Sequence, residues 1–105
     1  MNTQFKKGVL ELCVLALLSK KEHYGYEIVS RVSETIEVSE GTIYPLLRRL
    51  RNDGYVTTRL VESTQGPSRK YYTLTLQGQA YTETMINEWL SFTGHVNEIL
   101  EGEIV

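Results

Sequence analysis

The stretch from Phe5 to Ser19 carries apolar residues at Phe5, Val9, Leu10, Leu12, Cys13, Val14, Leu17 and Leu18. On a helix these positions spread around most of the circumference, and such a helix must be buried on more than one side. One side can face its own domain; the other asks for a partner. The far end of the chain repeats the demand. Met85, Trp89, Phe92, Val96 and Ile99 step by 4, 3, 4 and 3, the a/d seam of a helix that packs along another helix. Ile86, Leu90 and Leu100 make a second apolar line beside it, and Gly94 weakens the middle and could mark a bend. A chain of 105 residues has room for one compact domain and little else. Two helices of this kind are most simply covered by a second copy of the chain. The sequence therefore predicts a homodimer whose interface includes Phe5, Val9, Met85, Trp89, Phe92, Val96 and Ile99.

Between these helices the pattern changes period twice. Tyr24, Ile28 and Val32 at four-residue spacing predict a second helix over about 24–35. Ser39 is a good N-cap for a third, in which Ile43, Leu46, Leu47 and Leu50 form one apolar face and Gly54 stands in the C′ position. Pro45 conflicts with a cap at Ser39, because beyond the first turn its ring meets the Gly41 carbonyl. A start nearer Thr42 or an irregular first turn would each relieve the clash, and the sequence does not choose. Residues 55–62 and 69–76 are rich in β-branched residues and read as strands, with a turn composition over Ser63–Ser68 between them. Tyr71 and Tyr72 point to opposite faces of the second strand, one to the core and one to solvent. The expected fold is mostly α with a β-hairpin wing: a winged helix-turn-helix over residues 1–76, followed by a long C-terminal dimerisation helix over 77–105.

The formal net charge of −2 hides a strong asymmetry. Residues 42–76 carry Arg48, Arg49, Arg51, Arg59, Arg69 and Lys70 against only Asp53 and Glu62, while residues 77–105 carry five glutamates and no Lys or Arg. Phosphate binding responds to local potential, since the Debye length is about 8 Å at physiological salt. A basic middle can meet DNA while an acidic tail faces elsewhere.

In a helix-turn-helix protein the N-terminal part of the third helix meets base edges in the major groove. Ser39, Gly41, Thr42, Tyr44, Arg48 and Arg49 are accordingly candidate DNA contacts, with Arg69 and Lys70 of the wing on the flanking backbone. The bland readings are a solvated basic face on the helix and edge-strand charges that discourage aggregation.

Other classes find less support. Cys13 is the only cysteine, His23 and His95 stand apart, and no set of three or four metal ligands converges in sequence. Ser39, Ser68 and the histidines make no nucleophile–base series, and no Gly-rich phosphate loop or cofactor motif is present. The longest apolar run, Val9–Leu18, is about half of what a bilayer crossing needs, and no secretory signal pattern precedes it. The expectation is a cytoplasmic, non-enzymatic protein. A winged helix that binds protein instead of DNA is the alternative, and it would carry an apolar or acidic outer face on its third helix.

Several segments in this order resemble the PadR family of bacterial transcriptional regulators: His23-Tyr24-Gly25-Tyr26-Glu27-Ile28, Ser39 through Leu50, Gly54-Tyr55, and Arg69 through Thr75 with Gly78. The single C-terminal helix is similar to the short branch of that family. The resemblance covers nearly the whole chain. It implies a homodimeric repressor on a pseudo-palindromic operator, with Tyr24 joining the DNA-binding set. It also implies relief, in some members, by phenolic acids or flat aromatic compounds. Trp89 falls where multidrug-sensing members carry a tryptophan at the dimer centre, which makes Trp89 and Phe92 candidate ligand residues. A plain dimer-core aromatic is the competing reading of Trp89.

Overall fold

The computed structural model describes residues 3–102, with side-chain surroundings from residue 8 onward. The elements run α1 (Thr3–Lys20), β1 (His23–Tyr24), α2 (Gly25–Ser33), α3 (Glu40–Asn52), β2 (Val56–Ser63), β3 (Gly66–Leu74) and α4 (Leu76–Leu100). Three helices, a β-hairpin and a terminal helix appear in the expected order. The side chain of Phe5 lies outside the described ones.

The core forms where the apolar faces of α1, α2 and α3 meet the inner face of the sheet. Leu10, Val14, Leu15 and Leu18 of α1 join Ile28, Val29 and Val32 of α2, and Ile43, Leu46, Leu47 and Leu50 of α3. Val56, Tyr72 and Leu74 close it from the sheet. Tyr72 is therefore the inward member of the tyrosine pair and Tyr71, half-buried, the outward one. On α1, Val9, Leu12, Cys13 and Leu17 remain only partly covered by this chain, as expected of a helix with two apolar sides.

Four local details differ from the sequence reading, the simplest being that Leu76 opens α4 instead of ending the second strand, because Thr75 is the N-cap of that helix. A third strand, β1, pairs His23 with Tyr72 and Tyr24 with Tyr71, giving the antiparallel order β1-β3-β2. Two residues carry no periodic signal, and the pairing is visible only once β3 is in place. Helix α2 consequently begins one residue later, with the Tyr24 N–H donating to the Glu27 carboxylate, and it ends at Ser33. The hairpin turn is also tighter than its composition suggests. Ser63 pairs with Gly66, which leaves only Thr64 and Gln65 in the turn, and Gly66-Pro67-Ser68 belong to β3. Pro67 falls opposite the register shift between Val61 and Ser63, where a missing N–H costs the ladder least.

Helix α3 starts after Ser39, and Pro45 lies inside it. The Ser39 carbonyl accepts from both Thr42 N–H (3.1 Å) and Ile43 N–H (3.2 Å), so the first turn mixes 3₁₀ and α bonding. The helix therefore starts at Glu40 and not nearer Thr42, with an irregular first turn ahead of Pro45. At the other end Gly54 has φ +84°. Gly54 N–H reaches Arg51 O and Tyr55 N–H reaches Leu50 O, the paired bonds of a Schellman motif.

That motif also anchors α4. The Thr75 hydroxyl donates to Gly54 O (2.7 Å) and accepts from Gly78 N–H (2.9 Å). Tyr55 stacks on Tyr81 with centroids 4.1 Å apart and planes 8° from parallel. Gly78 is fixed by space: a Cβ there would overlap the Tyr55 carbonyl oxygen. Past this root α4 leaves the body. At 25 residues it is about 37 Å long, and its only buried residues, Gly78 and Thr82, lie in its first two turns. The molecule measures 62 × 28 × 20 Å with a radius of gyration of 15.9 Å, against about 13 Å for a compact chain of this length.

Candidate nucleic-acid interface

The core face of α3 is bordered by two flanks of different character. Tyr44, Arg48 and Arg51 recur at i, i+4 and i+7 and face the wing. Thr42, Pro45 and Arg49 recur at i, i+3 and i+7 and face α1. Each flank borders its own groove.

The wing-side groove has a volume of about 840 Å³. Its walls are Tyr44, Arg48 and Arg51 of α3, Tyr24, Gly25 and Tyr26 at the start of α2, and Ser63 with Gln65–Lys70 and Tyr72 of the wing. Three arginines and one lysine line it, with no aspartate or glutamate. The inner face of β3 supplies both core and groove: Tyr72 and Leu74 are buried, and Lys70 and Ser68 continue the same alternation past the core edge. Tyr44 is held against Gly25 so closely that a Cβ on that glycine would come within 2.8 Å of the ring. Burial, with Glu40 adding to it, pushes the Tyr44 phenol above its ordinary value. It is thus a neutral hydroxyl at physiological pH, able to donate to a phosphate or a base edge.

The other groove, about 660 Å³, lies between Gly8, Leu10 and Glu11 of α1 and Gly41, Thr42, Pro45, Leu46 and Arg49 of α3. Arg49 Nη2 stands 3.7 Å from the Glu11 carboxylate, so part of its charge is answered within the chain. The structure therefore brings together Tyr24, Tyr44, Arg48, Arg69 and Lys70, and sets Gly41, Thr42 and Arg49 on the α1 side. Ser39 lies at the helix start, its hydroxyl 3.4 Å from that of Thr42.

Among residues absent from the sequence-derived set, Arg51 is the strongest. Its spacing of three from Arg48 and seven from Tyr44 was the available signal. Gln65 and Ser68 had none, because their place depends on the tight turn, nor had Tyr26, whose place depends on where β1 hands over to α2.

The wing is braced from outside. Arg59 Nε donates to Glu22 (3.1 Å) and its Nη2 donates to the same carboxylate. That pairing holds the Glu22 carboxyl below its usual range and raises Arg59.

The fold and this site match known proteins. The family model described as transcriptional regulator PadR-like matches residues 14–84. This chain belongs to the PadR-like family. A PadR-like transcription factor from Bacteroides fragilis is 43% identical, superposes with a TM-score of 0.80, and the match covers 92% of this chain and 95% of that one. A PadR-like transcriptional regulator from Bacillus cereus is 39% identical with a TM-score of 0.84, covering 93% and 97%. The negative transcriptional regulator PadR of Bacillus subtilis is 30% identical over 101 residues, which are 92% of this chain and 53% of that protein. A crystal structure of that protein in complex with operator DNA superposes with a TM-score of 0.68 over 74% of this chain and 45% of that one. The chain thus spans about half the length of the Bacillus subtilis protein and nearly all of the two shorter relatives. The family is one of transcriptional regulators, not of enzymes. Among the described residues no helix is long and apolar enough to cross a membrane.

Proposed function

We propose that this PadR-like regulator represses transcription as a cytoplasmic homodimer bound to a pseudo-palindromic operator. The observation that carries the reading is the wing-side groove, where four cations and four tyrosines line a concave surface with no acid among them. A relative with the same fold has been crystallised on operator DNA, which supports the DNA arm of the reading. On this reading the N-terminal part of α3 enters the major groove, with Tyr44 and Arg48 nearest the bases, and Arg69 and Lys70 hold the flanking phosphates. Ser39, Gly41, Thr42 and Arg49 follow the backbone on the opposite side of the helix. The outer face of α3 bears three arginines, not the apolar or acidic surface a protein-binding winged helix would need.

Residues 1–76 then do the reading and residues 77–105 join the copies. Phe92 is 61% exposed and Ile99 68%, with Met85, Trp89 and Val96 half-buried. Such a face on a helix standing off the body is covered economically by its symmetry mate, together with Val9 and Phe5 of α1. The dimer sets two α3 helices about 34 Å apart, one DNA turn. A flat aromatic effector between Trp89, Phe92 and their mates would change the angle between protomers and move the reading heads out of register.

The test is fluorescence anisotropy with the protein's own upstream region, alongside sedimentation velocity at micromolar concentration. Saturable binding by a dimer is expected. A monomer that ignores this DNA in dilute buffer contradicts the proposal. Addition of aromatic or phenolic compounds, read by Trp89 fluorescence, tests the effector arm separately.

A further inference from the structure

Arg59 and Arg69 stand on neighbouring strands, and each lays its guanidinium over a tyrosine ring. Their hydrogen-bonding edges differ. Arg59 Cζ lies 5.1 Å from the Tyr71 centroid, and its Nε and Nη2 both donate to Glu22. Arg69 Cζ lies 4.7 Å from the Tyr24 centroid, and among the described residues it makes no ion pair and donates no hydrogen bond. All five guanidinium N–H donors lie in one plane, so stacking by the face leaves the edges unspent.

The two rings are joined. Tyr24 and Tyr71 are partners across the β1–β3 ladder and meet edge to face, with centroids 5.7 Å apart and planes at 61°. Arg59 is the partner of Tyr71 on the other side, in β2. Arg59, Tyr71 and Tyr24 therefore form one cross-strand row over all three strands. Glu22 anchors its outer end and also accepts a hydrogen bond from Thr73. Arg69 completes its inner end at the wall of the basic groove.

We propose that this row holds Arg69 as a pre-oriented phosphate clamp, with Tyr71 a positioning residue that lies outside the groove and touches no DNA. Lys70, on the opposite face of β3, has no such support and acts as a mobile point charge. The two adjacent wing cations thus have different roles: one oriented, one electrostatic. A clamp already ordered in the free protein loses less side-chain freedom on binding. The proposal rests on the DNA-binding reading above.

Two measurements test it. In the free protein, ¹⁵N relaxation of the Arg69 Nε–Hε group reads side-chain order directly. The expected result is an ordered group in the wild type and in Tyr71→Phe, which keeps the ring, and a mobile one in Tyr71→Leu. On DNA, Tyr71→Leu should weaken binding by about three- to tenfold, the scale of losing ring support and order around one side chain. Its slope of affinity against salt should not change, because no phosphate contact is deleted. Arg69→Met should weaken binding and also flatten that slope by about one unit. Arg59→Met, an exposed change safe for folding, should loosen Arg69 in the same direction as Tyr71→Leu but less. Equal Arg69 mobility in wild type, Tyr71→Leu and Arg59→Met overturns the proposal, as does full DNA affinity in both variants. A wild type that binds no DNA sinks the functional reading instead, while the relaxation measurement still decides whether the row orders Arg69.

Discussion

Helices α3 and α4 carry apolar seams of comparable regularity, yet only one is closed by its own chain. Ile43, Leu46, Leu47 and Leu50 of α3 are all buried. On α4, Phe92 and Ile99 are largely exposed, and so are Leu90 and Leu100 of the neighbouring line. Spacing identifies a seam in both cases but does not say what covers it. For α3 the cover is α1, α2 and the sheet. For α4 the root is locked by Thr75, Tyr55 and Gly78, Met85 still packs against the core, and beyond it Leu90, Phe92, Ile99 and Leu100 stay exposed. The difference separates the two helices: one seam builds the domain and frees the opposite face of α3 to carry charge, while the other stays open in this chain, which is what the proposed dimer would use.

On the closed seam Leu47 is fully buried. Leu47→Ala should cost about 2–5 kcal/mol of unfolding free energy, measured by urea denaturation at fixed protein concentration. A loss below about 1 kcal/mol would mean the α3 seam is no better closed than that of α4. The counterpart is Phe92→Ser combined with Ile99→Ser. That double change should leave far-UV helical signal intact at high concentration and raise the dimer dissociation constant at least tenfold, about 1.4 kcal/mol. Sedimentation equilibrium reads it, and an unchanged dimer would remove this face from the interface.

How much of this was legible in the chain follows the same division. The α3 core face, the Schellman glycine at Gly54 and the hairpin were readable, because each depends on local spacing or on a residue with restricted conformations. Strand β1 was not, since pairing His23 and Tyr24 with Tyr72 and Tyr71 is a long-range event without local periodicity. The separation of Arg48 and Arg51 from Arg49 was half legible. Helical spacing puts them on different flanks, but only the fold reveals that one flank meets the wing and the other Glu11. The extra strand length at Gly66–Ser68 was masked by a composition that reads as loop.

That division of flanks gives the next prediction. Arg51→Met should flatten the salt dependence of DNA binding by about one unit, and Arg49→Met by less, because Glu11 already answers part of the Arg49 charge. Equal slopes would erase the distinction between the grooves. Smaller still is the effect at the root of α4, where Thr82 Oγ1 is buried with no hydrogen-bond partner among the described residues. Thr82→Val keeps the shape and removes an unsatisfied hydroxyl. It should be neutral or stabilising by up to about 1 kcal/mol, read from the thermal midpoint; a marked loss would point to a hidden partner for the hydroxyl.

The least effect is expected from pH. The folded-state pKa of Glu22 is lowered, first by its hydrogen bond to Arg59, so the pair contributes above the unfolded carboxylate value and is lost as pH falls through the lowered one. Both groups are solvent-exposed, and screening keeps the contribution small. Acidification should release the Arg59 Nε–Hε resonance without moving the melting transition measurably. A resonance indifferent to pH would remove the brace.

On the proposed function, the closed seam and the open seam together make a two-headed DNA reader. Sedimentation velocity of the protein mixed with a labelled duplex from its own upstream region, at several salt concentrations, tests it most directly. Two protomers on each duplex, and an affinity that falls steeply with salt, are the expected result. A single protomer per duplex, or binding no tighter than to an unrelated duplex of equal length, would contradict it.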